Sequence, residues 1–105
     1  MTTAGGYLRA ARDTLTDPAH WTKEAYARDR RGAAVASNSP EAVCWCAYGA
    51  LERLGTGEIV DAREYLRVAA DDLFKSPPAG VNDHIGHAAV LRMYDRAIEL
   101  AEAQS

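Results

Sequence analysis

The chain has 105 residues, 48% of them apolar and 26% charged, with a net charge of −3. That length allows one domain with a single core, and the balance excludes a disordered chain and a fold that depends on disulfides. No apolar run approaches the roughly 18 residues of a membrane span, and residues 1–6 do not lead into a signal-peptide hydrophobic stretch, so the expectation is a cytoplasmic protein: one helical domain over residues 1–105, its ordered core at about 5–103.

The charge is uneven. Residues 1–35 carry six Lys/Arg against four Asp/Glu, and residues 36–105 carry six against eleven. The basic excess reduces to Arg28, Arg30 and Arg31, a patch too narrow to track a phosphate backbone, so nucleic acid is not an expected partner.

In chain order, Gly5 to Thr16 reads as an amphipathic helix with Ala4, Leu8, Ala11 and Leu15 on one face. Thr16-Asp17-Pro18 stops it, because proline disfavours helix at the residue before it. Trp21 follows as a lid over the core. From Glu24 to Ser37, two short extended runs, Ala25–Arg28 and Ala33–Ala36, flank a turn ending in Gly32 and predict a small β-hairpin. Ser39-Pro40-Glu41 then supplies an N-cap, a first-turn proline and an acid at the positive end of a helix dipole. A second helix is expected from there through Leu54 as the hub of the fold, with Val43, Ala47, Ala50, Leu51 and Leu54 on one face and Trp45 on the other.

Within such a helix Cys44 and Cys46 diverge, which predicts two reduced thiols rather than a bridge. Ala42, Cys46 and Gly49 line up as a small-residue strip that lets another backbone come close. Gly55-Thr56-Gly57 ends this helix. A third helix, Glu58 to Lys75, buries Ile59, Ala62, Leu66, Ala69, Ala70 and Leu73. Ser76 to Gly80 is a breaker run, and a fourth helix, Ile85 to Ala103, carries the stripe Val90, Met93, Tyr94, Ala97, Ile98 and Ala101. The expected fold is therefore mainly α, a compact four-helix domain with a small β-hairpin between helices 1 and 2.

The polar cluster Asn82-Asp83-His84-Ile85-Gly86-His87 admits two readings. Asn82 and Asp83 are natural N-caps for the last helix, and the cysteines are of the kind that packs as small hydrophobes. Alternatively Cys46, His87 and Asp83 supply thiol, imidazole and carboxylate, the types that a cysteine-dependent hydrolase or transferase needs. Cys44-x-Cys46 is the wrong spacing for a zinc knuckle, so neither metal nor other cofactor is expected. The second and third helices have a helix-turn-helix layout but too many acids for DNA. Tyr48, Tyr65, Tyr94, Trp45 and Trp21 exceed what a core of this size must bury, which points to a recognition surface.

Trp21-Thr22-Lys23, Ala25–Asp29, the run Ala42–Leu51, Asn82-Asp83 and Tyr94–Ile98 together resemble a family of small bacterial and phage proteins of unknown function. Its members read W-T-x-G-A-x-A-R-D, then A-V-x-W-C-A-L-G-A-L, then N-D and a helix ending D-R-A-I. This chain has Glu24 where the pattern has glycine, and a shorter segment after Asp83. The resemblance spans residues 7–101 and implies that Trp21, Arg28, Trp45, Cys46, Gly49, Asn82 and Asp83 matter, with Trp45, Cys46 and Asn82-Asp83 meeting in space. Adding His84 from the polar cluster, the binding surface is expected from Trp21, Arg28, Trp45, Asn82, Asp83 and His84. The function expected is a non-catalytic interaction or small-ligand-binding module whose partner is a protein or small molecule, not a membrane.

Overall fold

The structure, a computed structural model, describes residues 3–55 and 59–104. Helix α1 (Ala4–Thr16) opens with the Thr3 hydroxyl accepting the Gly6 N–H at 3.1 Å and buries Leu8, Ala11 and Leu15, the face expected of it. Asp17 ends α1 and caps a single turn, Pro18–His20, by accepting the Ala19 N–H. The hairpin is present: β1 (Ala27–Arg28) pairs antiparallel with β2 (Ala34–Val35), Ala27 opposite Val35. Its turn is held by one Asp29 oxygen, which accepts the N–H groups of Arg31 and Ala33 at 2.9 Å each.

The second helix departs from expectation. Ser39 does not cap a helix; its hydroxyl accepts the Glu41 N–H within a turn, and the chain continues extended into a third strand, β3 (Cys44–Trp45). Helix α2 is only Ala47–Glu52, with Cys46 as its N-cap. Ser39-Pro40-Glu41 lost because β3 has a partner: it pairs antiparallel with the other edge of β1, giving the order β2-β1-β3. Val43 and Cys46 donate to the carbonyls of Arg28 and Tyr26, and the Trp45 indole donates to the Ser37 carbonyl. Local capping is worth ~1 kcal/mol, less than a strand's worth of satisfied backbone and a packed tryptophan. Extended chain also puts alternate side chains on one side, so Cys44 and Cys46 do not diverge as a helix would make them, yet both are free thiols.

Helix α3 (Val60–Phe74) buries Ala62, Leu66, Ala69 and Ala70, while Leu73, expected inside, is 37% exposed. Lys75 ends α3 in the left-handed conformation. The expected cap at Thr56 and Gly57 and the helix start at Glu58 lie outside the described residues. A helical turn, Pro78–Gly80, widens into a π-type segment, Val81–Ile85, before α4 (His87–Ala103). Asn82 and Asp83 therefore do not cap the last helix; Gly86 holds that position without a side-chain bond.

The hub is α4, not α2. It packs against both α1 and α3, and its whole predicted stripe, Val90, Met93, Tyr94, Ala97, Ile98 and Ala101, is buried. At six residues α2 is too short to organise three neighbours. Exposed pairs Arg12–Asp95 and Arg96–Asp72 bridge these helices and add little. Among the described residues no helix is long and apolar enough to cross a membrane.

One backbone approach locks the sheet to α2. The Tyr26 carbonyl accepts the Cys46 N–H at 3.1 Å and lies so near Gly49 that a Cβ there would sit 2.0 Å from its oxygen. Gly49→Ala is thus expected to lower the urea-unfolding free energy by about 3 kcal/mol. Gly5→Ala, whose Cβ meets nothing closer than 3.8 Å, should instead raise it by about 0.5–1 kcal/mol as a helix-propensity gain.

Candidate functional site

The site grows from Asn82, the one polar residue of the described chain that is fully buried, at 1% exposure. Its side-chain oxygen accepts the Trp21 indole N–H at 2.7 Å and the Ala47 N–H at 3.0 Å. Its amide donates to the Thr22 carbonyl at 3.1 Å and to Asp83 Oδ1 at 2.9 Å. That is the full hydrogen-bonding capacity of an asparagine side chain. The π-type turn aims Asn82 inward where an ordinary helix start would have aimed it at the N-terminus of α4.

Neighbouring groups complete the network. Ala47 is held from both ends, because its carbonyl accepts the buried Tyr94 hydroxyl at 2.5 Å; burial pushes the Tyr94 phenol far up, so it stays a donor. Thr22 donates to the Trp45 carbonyl, which extends the sheet edge beside β3. Asp83 Oδ1 accepts a second bond, from the Glu24 N–H at 3.0 Å. Partial burial pushes the Asp83 carboxyl up, but the bonds from Asn82 and Glu24 and the charges of His84 and Lys23 outweigh it and hold the group below its ordinary range. Asp83 is a carboxylate at neutral pH.

Glu24 carries φ 64°, a left-handed backbone that glycine adopts freely and other residues at a cost. The Asp83 carboxylate accepts the Glu24 N–H and helps hold this strained turn. Arg28 secures the same loop: its guanidinium donates to Thr22 Oγ1 and to the carbonyls of Gly32 and Lys23. Arg28 is a strut, with those donors committed to the protein's own loop.

Over this network lies a cleft of about 310 Å³. The buried Ala47 and Asn82 lie deepest, with Cys46 beside them; Tyr48 and Asp83 are half-buried, and Glu24, Tyr26 and Ala79 stand at the mouth with Ala25. Cys46 Sγ accepts the Gly49 N–H at 3.3 Å as the α2 cap. Burial pushes the Cys46 thiol up, more than the Gly49 and Tyr48 N–H groups draw it down, and Asp83 and Glu52 add to the rise.

Of the residues singled out in the sequence, Cys46, Asn82 and Asp83 share the cleft, and Trp21 backs it through its bond to Asn82. Trp45 lies outside the lining with Arg53 stacked 4.4 Å from its ring centroid. His84 is exposed and outside it. His87 is outside it too: its Nε2 donates to the Leu15 carbonyl at 2.6 Å, and its ring stands 5.5 Å from that of Trp21. The structure thus brings Cys46 and Asp83 together and leaves His87 with α1. Among the described residues no group of three or more His, Cys, Asp or Glu gathers to hold a metal ion. Sequence reasoning missed Tyr26 as a site residue, although the alternation Ala25-Tyr26-Ala27 in a predicted strand turns Tyr26 away from a buried Ala27.

Two substitutions test the network by urea unfolding. Asn82→Asp replaces both amide donors by an acceptor facing the Thr22 carbonyl and Asp83 Oδ1, and should cost about 3 kcal/mol or more. Glu24→Gly should gain about 0.5–1 kcal/mol, the relief of left-handed strain less the freedom glycine adds to the unfolded chain.

Comparison with curated proteins and with solved structures gives no match for this chain. A family profile does match, over residues 1–100, and takes in the whole network from Trp21 to Tyr94. The chain therefore belongs to DUF6197, a family of unknown function.

Proposed function

We propose that this protein is a non-catalytic module that binds a small molecule in the cleft beside Asn82. The cleft carries this reading: about 310 Å³ is at the lower end of the ~300–1,000 Å³ of ligand pockets, which suits a metabolite rather than a peptide. Its base is rigid, because Asn82, Ala47 and Tyr94 are already bonded to one another, so little ordering remains to oppose binding.

The thiol favours binding over turnover. A cysteine nucleophile acts as thiolate with a base in reach, whereas Cys46 is protonated by burial and caps α2. The rival reading, a cysteine-dependent hydrolase or transferase using Cys46, His87 and Asp83, requires His87 to leave the Leu15 carbonyl and enter the cleft. Two free thiols suit the reducing cytoplasm, and the setting proposed is a bacterial or phage-infected cell.

Alkylation of the native protein against pH, read for each cysteine by peptide mass spectrometry, tests this. Cys46 should react with a midpoint above the ordinary ~8.5 of a thiol, unchanged by His87→Ala, because a proton held by burial is released only at higher pH. A small molecule that occupies the cleft should slow Cys46 and spare Cys44. A midpoint well below the ordinary value, lost in His87→Ala, overturns the binding reading in favour of the enzyme.

A further inference from the structure

We propose that the ligand of this cleft is a small organic cation, a protonated or quaternary amine on an apolar body; the inference rests on the reading of the cleft as a ligand site.

Four features of the lining converge on it. Two carboxylic acids, Glu24 and Asp83, line the cleft, and among the described residues no Lys, Arg or His does. Asp83 spends Oδ1 on two protein N–H donors, while Oδ2 accepts no hydrogen bond from the described residues. Lys23 and His84 stand near enough to act on the carboxylate through space without lining the cleft. The remaining wall is three alanines, Cys46, the hydrogen-bonded Asn82 amide and two tyrosines. Tyr48 already has the Arg63 guanidinium 4.9 Å from its centroid, whereas Tyr26 is 51% exposed and has no cation over it among the described residues.

Desolvation selects among ligand charges. Any molecule that fills this space strips water from Asp83, and a neutral or anionic one leaves a carboxylate unpaired against apolar surface. A cation compensates it, and an aromatic face attracts an ammonium group besides. The alanine methyls and ring faces then accept the apolar body that a bare metal ion or ammonium would lack.

The test titrates the full chain with four probes sharing one ring, benzylamine, benzyltrimethylammonium, benzyl alcohol and phenylacetate, followed by ¹H–¹⁵N correlation spectra. Both cations should shift the amides of Ala25, Tyr26, Cys46, Ala47, Tyr48 and Asp83 saturably. Benzyl alcohol should bind about tenfold more weakly, and phenylacetate should not bind. Asp83→Asn keeps the Oδ1 acceptor for Asn82 and Glu24 and removes only the charge, so it should cancel the preference for the cations; Tyr26→Leu should weaken benzyltrimethylammonium most. Benzyl alcohol or phenylacetate binding in the cleft as well as the amines, or an undiminished preference in Asp83→Asn, overturns the cation inference and leaves the ligand site standing. Failure of all four to perturb the cleft overturns the inference and counts against the ligand site itself.

Discussion

Asn82 is where the separate parts of this chain are made into one object. Its four hydrogen bonds reach the loop after α1 through Trp21 and Thr22, the start of α2 through Ala47, and the strained turn at Glu24 by way of Asp83. No two of those segments are joined by a strand or helix long enough to hold them alone; the three strands are two residues each and α2 is six. Two-residue strands are far below independent stability, so a buried polar junction does what a larger sheet would do elsewhere. Such a junction tolerates no partial version. Each partner it satisfies is buried or half-buried, and each would be left unpaired if the amide were absent or reversed.

The same junction determines which side chains meet. With the Ala47 N–H on Asn82 and its carbonyl on Tyr94, the first turn of α2 is fixed to α4, the helix with the largest buried face. The Tyr26 carbonyl then lies against Gly49, which fixes the hairpin to α2 at a distance only glycine permits. Tyr26 and Tyr48 are thereby brought to line one space with Cys46 and Asp83, and that space is the cleft. Site geometry here is a by-product of how the fold is closed.

Charge follows from placement in the same way. Asp83 stays ionised because Asn82 and Glu24 donate to it, and the Cys46 thiol stays protonated because it is largely withdrawn from water with carboxylates nearby. Two groups within one cleft are pushed in opposite senses by surroundings that the chain supplies partly from near neighbours and partly from distant ones, Glu24 for Asp83 and Asp83 for Cys46. A carboxylate beside a neutral thiol is suited to holding a positively charged guest and poorly suited to nucleophilic attack.

What the sequence determined by itself was whatever repeats within one element. The faces of α1, α3 and α4 were legible because burial recurs at 3.6 residues, and the hairpin was legible from alternation around a turn that Asp29 closes. The resemblance pointed to Trp45, Cys46, Asn82 and Asp83 as residues that meet; Cys46, Asn82 and Asp83 do line one cleft, and Trp45 lies outside it. Tertiary structure decided the rest where a local signal had a competitor elsewhere in the chain. Ser39-Pro40-Glu41 spells a helix start, yet β1 offers Cys44 and Trp45 a pairing edge, so the chain stays extended and Cys46 becomes the cap. Asn82 and Asp83 spell a second helix start, yet Trp21, Thr22, Ala47 and Glu24 lie within reach of their side chains, so the pair turns inward and Gly86 begins α4. His87 is claimed by the Leu15 carbonyl for the same reason. A capping signal is worth one hydrogen bond with a near neighbour, and long-range partners that satisfy several buried groups at once outweigh it; those partners are invisible until the chain has folded.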